Sequence, residues 1–187
     1  MSERSTVDIL GVQVDRITNA AALERLARFA GGRESHHVVT VNPEFVMRAR
    51  RDAAFRELLN RADLALPDGV GIVWASRLLG QPVPERVTGV DTVQALARLA
   101  AGRRLRPFLL GAAPGVAEEA ARALCAANPG LEIAGVYAGS PAFAEEGAIV
   151  ASIQRARPDM LFVAYGAPQQ DFWIARTRSR LHIPLAM

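Results

Sequence analysis

Short apolar runs alternate with amphipathic segments along most of this chain. The runs cover residues 37–41, 64–66, 107–110, 131–137 and 159–164. Continuous apolar runs of this length, rich in Val, Ile and Leu, are typical of strands buried on both faces of a parallel sheet. Segments with apolar residues at helical spacing separate most of them, and the first begins at Thr18 and ends near Gly31. This alternation predicts an α/β fold: one Rossmann-like domain over residues 1–187, with a mostly parallel sheet flanked by helices.

Three local patterns add detail to this prediction. Residues 6–16 alternate around Gly11, which predicts a short N-terminal β-hairpin. The helical pattern after Pro43 continues through Leu59 and predicts one helix. Gly89-Val90-Asp91 is interpreted as the end of a charged loop, with the next helix starting at residue 92.

Composition narrows the class of protein. The chain has 187 residues, 50% of them hydrophobic, and no apolar run approaches the roughly 18 residues needed to span a bilayer. The N-terminus lacks the pattern of a signal peptide, which favours a cytoplasmic compartment. A single cysteine, Cys125, excludes a disulfide framework and a cysteine-based metal site. The three histidines lack metal-ligand spacing, so we expect no bound metal.

The basic charge is carried by arginine alone. The net charge is +3, and all 22 basic residues are Arg, scattered in small clusters without interleaved aromatic residues. This distribution is more typical of solvated helix faces than of a nucleic-acid surface, so no nucleic-acid partner is expected. A weak attraction to anionic lipid head groups is left open.

Polar or glycine residues follow four of the predicted strands. They are Thr40 to Asn42, Pro67 to Gly69, Gly111 to Gly115, and Gly166 to Asp171. Because the carboxyl ends of parallel strands lie at one edge of a sheet, these residues are candidates for a shared cleft.

Each candidate also has a structural interpretation. Pro67-Asp68-Gly69 is a good turn sequence, and Asn42 before Pro43 is a good helix cap. Gly111 to Gly115 follows a strand and opens a helix, which suits either a tight turn or backbone binding of a nucleoside diphosphate. That loop lacks both the dinucleotide fingerprint and the P-loop lysine, so an NAD-dependent oxidoreductase is disfavoured.

Five stretches together resemble one known family. They are VVTVNPEFV, NRADLALPDGVGIVWASRLLG, PERVTGVD, PFLLGAAPG and DMLFVAYGAPQQDFWI. In this order and spacing they resemble the WecG/TagA/CpsF family of bacterial glycosyltransferases. The resemblance implies transfer of an N-acetylmannosamine-like sugar from a UDP-sugar to an undecaprenyl-diphosphate-linked sugar during synthesis of cell-surface polysaccharide such as teichoic acid. It further implies an inverting reaction without a metal or other cofactor.

The resemblance also assigns roles to residues. Asp68 matches the proposed catalytic base, and Arg86 matches a pocket arginine suited to diphosphate oxygens. Further matches with substrate-binding positions are Thr40, Asn42, Asp91 and Gln170. Gly111 and Gly115 are the candidates for contact with the nucleotide phosphates.

Two features depart from the family pattern. Gln169 and Asp171 stand where the family has Lys and Glu, and the sequence ends at Met187, where members continue into an Arg-rich appendage. We therefore expect a peripheral enzyme at the inner face of the plasma membrane, weakly bound without the appendage. The alternative is a truncated or vestigial nucleotide-sugar-binding domain without turnover. Self-association into a homo-oligomer is left open.

Overall fold

The computed structural model describes residues 4–187, which divide into two units. The first unit comprises residues 4–25 and 37–92, and the second comprises residues 26–36 and 93–187.

The first unit combines an antiparallel hairpin with a parallel strand pair. Its elements, including three that extend into the other unit, are β1 Thr6–Ile9, β2 Val12–Asp15, α1 Asn19–Ala30, β3 His36–Val41, α2 Pro43–Ala49, α3 Ala53–Arg61, β4 Leu64–Pro67, α4 Val70–Leu78 and α5 Gly89–Arg103. Strands β1 and β2 form the predicted hairpin. Strands β3 and β4 are parallel, with Thr40 opposite Leu66 and Val41 opposite Pro67.

A buried carboxylate joins the hairpin to β4. Asp15 is 2% exposed, and its two oxygens accept hydrogen bonds from Arg4 Nε and Nη2 at 2.8 and 2.7 Å. The backbone N–H of Ala65 in β4 also donates to Asp15 Oδ2, at 2.7 Å. A buried charge without hydrogen-bond partners is costly, so Asp15 favours the one placement of the hairpin on β4 in which these bonds form.

The single helix predicted from Pro43 to Leu59 is wrong. Helix α2 ends at Ala49, and α3 begins at Ala53. The side chain of Asp52 accepts a hydrogen bond from Phe55 N at 3.0 Å and so caps a new helix. The apolar spacing continues across the break, which is why periodicity alone suggested one helix.

The second unit is a parallel sheet with helices packed on it. Its elements are β5 Pro107–Gly111, α6 Val116–Ala127, β6 Gly135–Tyr137, α7 Phe143–Ala156, β7 Met160–Ala164, α8 Gln169–Leu181 and β8 Leu185–Ala186. The strand order is β8-β7-β5-β6, and all pairings are parallel. The core is aliphatic with two large aromatic side chains; it includes Phe108, Leu110, Ile149, Ile153, Leu161, Trp173 and Ile174.

Strand β6 is shorter than the predicted strand over residues 131–137. Its first residue, Gly135, lies opposite Phe108 of β5. Strand β5 begins at Pro107, one residue earlier. Ala134 N donates the last hydrogen bond, to Pro107 O at 2.8 Å. Residues before Ala134 therefore lie beyond the first residue of the neighbouring strand.

Parallel strands, flanking helices and a separate N-terminal hairpin confirm the predicted fold class. Across residues 4–187, no helix combines the length and the hydrophobicity needed to cross a bilayer.

Candidate active site

Asp68 lies immediately after β4 and is fixed through both backbone and side chain. Its N–H donates to Val41 O at 2.9 Å, which ties it to the end of β3. Its Oδ2 atom accepts a hydrogen bond from Gly89 N, the first residue of α5, at 3.1 Å. The N-terminus of a helix favours negative charge. The carboxylate is therefore oriented from one side while it stays partly exposed.

The turn interpretation of Pro67-Asp68-Gly69 is correct and compatible with a functional role. Gly69 has φ of +105°, a conformation that other residues rarely adopt. A Cβ atom at this position would lie 3.3 Å from Pro43 Cδ and 3.9 Å from Asn42 Cβ. The turn that carries the carboxylate therefore packs, at Gly69, against Pro43 and Asn42.

Thr40 and Asn42 lie at the end of β3, beside the end of β4. Asn42 Oδ1 accepts a hydrogen bond from Phe45 N at 3.0 Å, and Pro43 is the first residue of α2, which confirms the cap interpretation. The Nδ2 group of Asn42 and the hydroxyl of Thr40 make no hydrogen bond to another residue within 4–187. Both side chains are partly exposed, so polar groups remain available on the Asp68 side of this unit.

The loop that carries Arg86 is tied to the same strand end. Val87 N donates to Pro67 O at 2.9 Å, so Arg86 lies one residue from a backbone contact with β4. The guanidinium group is exposed and has no ion-pair partner in the described part of the chain. It is therefore available to bind an anion bidentately.

Asn19 braces the Arg86 loop from the start of α1. Its backbone N–H and its Nδ2 donate to Glu85 Oε2 at 2.7 and 2.6 Å. These two bonds, the backbone one first, lower the pKa of Glu85 from its ordinary value. Asn19 Nδ2 also donates to the backbone oxygen of Arg86 at 3.2 Å. Sequence patterns did not indicate this contact between segments 66 residues apart.

Asp91 lies in the first turn of α5, so the prediction of a loop there is wrong. Thr88 Oγ1 donates to Asp91 Oδ2 at 2.6 Å and accepts from Asp91 N at 3.1 Å. Thr88 therefore caps the N-terminus of α5 through the backbone N–H of Asp91, and the Asp91 carboxylate holds the Thr88 hydroxyl in place. Asp91 thus secures the helix N-terminus from which Gly89 donates to Asp68.

Three predicted site residues, Gly111, Gly115 and Gln170, lie in the second unit. Gly111 pairs with Ala164, so the loops after β5 and β7 lie at one edge of this sheet. Gln170 is in the first turn of α8, and its N–H donates to Gly166 O at 3.0 Å. The structure thus groups Thr40, Asn42, Asp68, Arg86 and Asp91 in one unit and these three residues in the other.

The glycine loop after β5 has the backbone of a tight turn. Gly111 and Gly115 have φ of +97° and +87°. A Cβ atom on Gly111 would lie 2.9 Å from the carbonyl carbon and oxygen of Ala164. The first turn of α6 carries Glu118 and Glu119, which add negative charge near the proposed phosphate position. Phosphate binding at this loop therefore stays a prediction.

Tyr165, directly after β7, is a polar residue that the sequence patterns did not single out. Its hydroxyl is buried and has no hydrogen-bond partner within residues 4–187. Burial, reinforced by the negative charge of Glu145, raises its pKa well above the usual range. The ring lies 2.9 Å from the position of a Cβ atom on Gly111. The Tyr165 ring therefore packs against the start of the glycine loop, while its protonated hydroxyl is buried.

Histidines and carboxylates are not grouped as metal ligands. His36 stacks on Phe29 with ring centroids 3.8 Å apart, and His37 is buried at 3% exposure. In the described portion of the sequence, no three His, Cys, Asp or Glu side chains lie close enough together to hold a metal ion.

A cavity of about 650 Å³ in the second unit lies away from the predicted residues. Its lining includes Arg106, Gln154, Arg155 and Arg157. Arg106 directly precedes β5, so the cavity lies at the amino ends of the strands. Ligands of open α/β sheets bind at the carboxyl ends, so this cavity is not the candidate substrate cleft.

Comparison with known proteins identifies the family. Residues 7–187 match the model of the glycosyl transferase WecG/TagA/CpsF family. The chain belongs to this family. Two similar relatives are the "N-acetylglucosaminyldiphosphoundecaprenol N-acetyl-beta-D-mannosaminyltransferase" proteins of Staphylococcus aureus strains MRSA252 and NCTC 8325 / PS 47. Each is 34% identical over 175 residues, which cover 92% of this chain and 68% of the relative.

The WecG/TagA/CpsF match confirms the resemblance recognised from the five sequence stretches. The chain is thus a member of a glycosyltransferase family, and its similar relatives are named as N-acetylmannosaminyltransferases. The matched residues include all eight predicted site positions. The roles of those positions in this chain are proposals.

Proposed function

We propose that this chain transfers N-acetylmannosamine from a UDP-linked donor to a polyprenyl-diphosphate-linked N-acetylglucosamine, with inversion and without a metal. The observation that carries the proposal is the 34% identity with transferases of that name over 92% of this chain. The partly exposed Asp68 carboxylate, held at a strand end by Gly89, supports it because inverting transfer needs a general base.

Inversion follows from the proposed donor and product. The names of the similar relatives specify a β-mannosaminyl product. UDP-hexosamines carry the sugar in α linkage, so one displacement at the anomeric carbon would give the β product. A single displacement needs a base for the nucleophile and stabilisation of the leaving diphosphate.

Asp68 is the proposed base. Its carboxylate would accept the proton of the acceptor hydroxyl while that oxygen forms a bond to the anomeric carbon. The bond from the anomeric carbon to the diphosphate oxygen breaks at the same time, and UDP leaves with the electron pair. Gly89 N–H occupies one face of Oδ2, which leaves Oδ1 for the acceptor.

Arg86 is the proposed partner of the leaving diphosphate. Its guanidinium is exposed and unpaired in the described chain, and a planar fork binds two phosphate oxygens at once. Thr40 and Asn42 would donate hydrogen bonds to sugar hydroxyl or acetamido groups. Gln170 and the Gly111 to Gly115 loop remain the proposed contacts of the second unit with substrate and nucleotide phosphates.

Replacement of Asp68 by Asn tests the assignment of the base. The amide keeps the shape of the side chain but cannot accept the proton, so kcat should fall by about 10²–10⁴. UDP binding measured by calorimetry should stay within a few-fold of the parent value. Glu57→Gln is the matched control, because Glu57 is an exposed carboxylate paired with Arg61 on α3. Unchanged turnover in Asp68→Asn would remove Asp68 from the role of base.

The reaction class is tested on the parent protein. Transfer from UDP-N-acetylmannosamine to a lipid-diphosphate analogue should persist in excess EDTA, and the anomeric proton of the product should show the β configuration by NMR. Loss of activity in EDTA, or an α product, would contradict the metal-independent inverting reaction. Saturable UDP binding without transfer would favour the alternative of a nucleotide-sugar-binding domain.

A further inference from the structure

Helix α4 buries a serine and exposes three of its apolar side chains. Ser76 is fully buried, whereas Leu78 is 86% exposed. The Ser76 hydroxyl donates to Val73 O at 2.8 Å and accepts from Val83 N at 3.0 Å, so the buried polar group is satisfied. A surface helix normally shows the reverse arrangement. Packing within this unit covers the side of the helix that carries Ser76. It does not cover the opposite, apolar side.

The exposed side chains form one continuous stripe. Val70, Trp74 and Leu78 follow one another at intervals of four residues and are 56%, 60% and 86% exposed. Leu79, at the end of the helix, is 52% exposed. We call these four side chains the α4 stripe. Contiguous apolar patches of about 300–600 Å² are the largest on typical monomers and are often functional.

The α4 stripe begins beside the proposed base. Val70 is two residues from Asp68, and the stripe extends about 12 Å along the helix from there. On the other side of Asp68, Val90 follows the Gly89 that donates to its carboxylate, and Val90 is 71% exposed. Exposed apolar side chains thus flank the Asp68–Gly89 contact.

The charge that α4 itself carries is positive. The sequence of α4, VGIVWASRL, contains no acidic residue. Its one charged residue, Arg77, is exposed and follows Trp74 by three residues, so it lies on the same side of the helix. Arginine beside an apolar helix face attracts anionic lipid head groups, and tryptophan is enriched at the boundary between head groups and acyl chains.

We propose that the α4 stripe docks on the surface of an anionic lipid bilayer and so holds Asp68 at head-group depth. The use of this surface rests on the proposed function, because the diphosphate of a polyprenyl-linked acceptor lies at that depth. A second copy of this chain fits the stripe less well, since a stable interface buries about 800 Å² per partner. Three side chains on a nine-residue helix, together with Leu79 at its C-cap, offer less area than that.

Binding to vesicles tests the docking surface directly. The full chain is mixed with vesicles of equal parts phosphatidylglycerol and phosphatidylcholine, and the bound fraction is measured by sedimentation. The emission of Trp74 should shift to shorter wavelength and be quenched by brominated lipid. Trp173, the other tryptophan, is fully buried and provides a constant background.

Substitution of Leu78 should weaken this binding selectively. Leu78→Glu should lower the partition coefficient by about tenfold or more, because it replaces buried apolar surface with a charge facing an anionic membrane. Leu78→Ser should lower it less. Ala126→Glu is the matched control, since it places the same charge on an exposed position of α6 and should bind as the parent does. Leu78 is exposed, so circular dichroism and Tm should show both variants folded.

Three results would overturn the proposal. One is that the parent fails to bind these vesicles. Another is that the parent binds only when the vesicles contain a polyprenyl diphosphate, which would make the acceptor chain the occupant. The third is that Leu78→Glu binds the vesicles as well as the parent does; if it also converts a dimer to a monomer in sedimentation velocity, a second copy of the chain is the occupant.

A soluble acceptor separates this proposal from the proposed function. The ratio of transfer to a vesicle-borne acceptor over transfer to a short-chain, water-soluble acceptor should fall about tenfold in Leu78→Glu, in proportion to lost partition. Transfer to the soluble acceptor without vesicle binding by the parent would overturn the docking surface alone. Vesicle binding without transfer to either acceptor would contradict the proposed function alone.

Discussion

The Oδ2 atom of Asp68 accepts a hydrogen bond from the backbone N of Gly89 at 3.1 Å, across 21 residues of sequence. This bond joins the end of strand β4 to the start of helix α5. Thr88 and Asp91 cap that helix, so its free N–H groups point in a defined direction. The proposed base is therefore positioned by the helix backbone as well as by its own turn.

Replacement of Gly89 by Pro tests this positioning role. Proline removes the N–H that contacts Asp68, yet it is well tolerated at the first residue of a helix. We expect Tm to change little and kcat to fall by about tenfold, the value of one hydrogen bond to a charged group.

Ala53→Pro is the control for this substitution. Ala53 is the exposed first residue of α3. The N-cap Asp52 accepts its hydrogen bond from Phe55 N, so proline at residue 53 leaves that bond intact. The control should keep parental turnover. Parental kcat in Gly89→Pro would show that the Gly89 contact does not position Asp68.

Stability in acid should depend on Glu146 of α7. This largely buried carboxylate accepts hydrogen bonds from Arg176 Nε at 2.5 Å and Arg180 Nη1 at 2.6 Å. The bond from Arg176 is the main cause that lowers its pKa below the ordinary value of 4.5. The unfolded chain therefore binds the proton more readily, so this stabilisation is complete above pH 4.5 and is lost as pH falls through the lower folded pKa.

Glu146→Gln should reduce the free energy of unfolding at neutral pH by about 1.5–3 kcal/mol, the value of hydrogen bonds to charged groups. It should also flatten the fall in stability below pH 4.5. Urea denaturation at a series of pH values measures both effects. Glu118→Gln, at an exposed position of α6, should leave the curve unchanged. An unaltered acid slope in Glu146→Gln would contradict the assignment.

Two glycines with similar backbone angles should respond differently to alanine. Gly111 and Gly115 have φ of +97° and +87°, so both substitutions strain the backbone by about 1 kcal/mol. At Gly111 the added Cβ would also lie 2.9 Å from the Ala164 carbonyl carbon and oxygen, whereas at Gly115 nothing lies within 4 Å. We expect Gly111→Ala to lower Tm clearly more than Gly115→Ala. Equal changes measured by calorimetry would show that the strand contact relaxes.

Element type was predictable, because it follows from local patterns. The runs that became β4, β5 and β7 are apolar, and β3 is rich in valine; a sheet covered on both faces requires such a composition. Boundaries were less predictable where a side chain competes with the pattern. Asp52 ends a helix that apolar spacing would continue, and Pro107 limits how far β6 can pair. The first effect comes from a side-chain hydrogen bond and the second from the neighbouring strand. The spacing of apolar residues carries no information about either.

The sequence by itself determined the fold class and the carboxylate at the strand end, since both rest on residues close together in the chain, and it determined the family through five short stretches in a fixed order. Only the tertiary structure decided what Asp68 and Asn19 contact, because Gly89 and Glu85 reach them from distant segments. It also decided which side of α4 is covered: Ser76 is buried, and Trp74 and Leu78 remain exposed. Hydrophobic patterning assigns apolar residues to the interior, so a helix with an apolar outer face is visible only after the unit has folded.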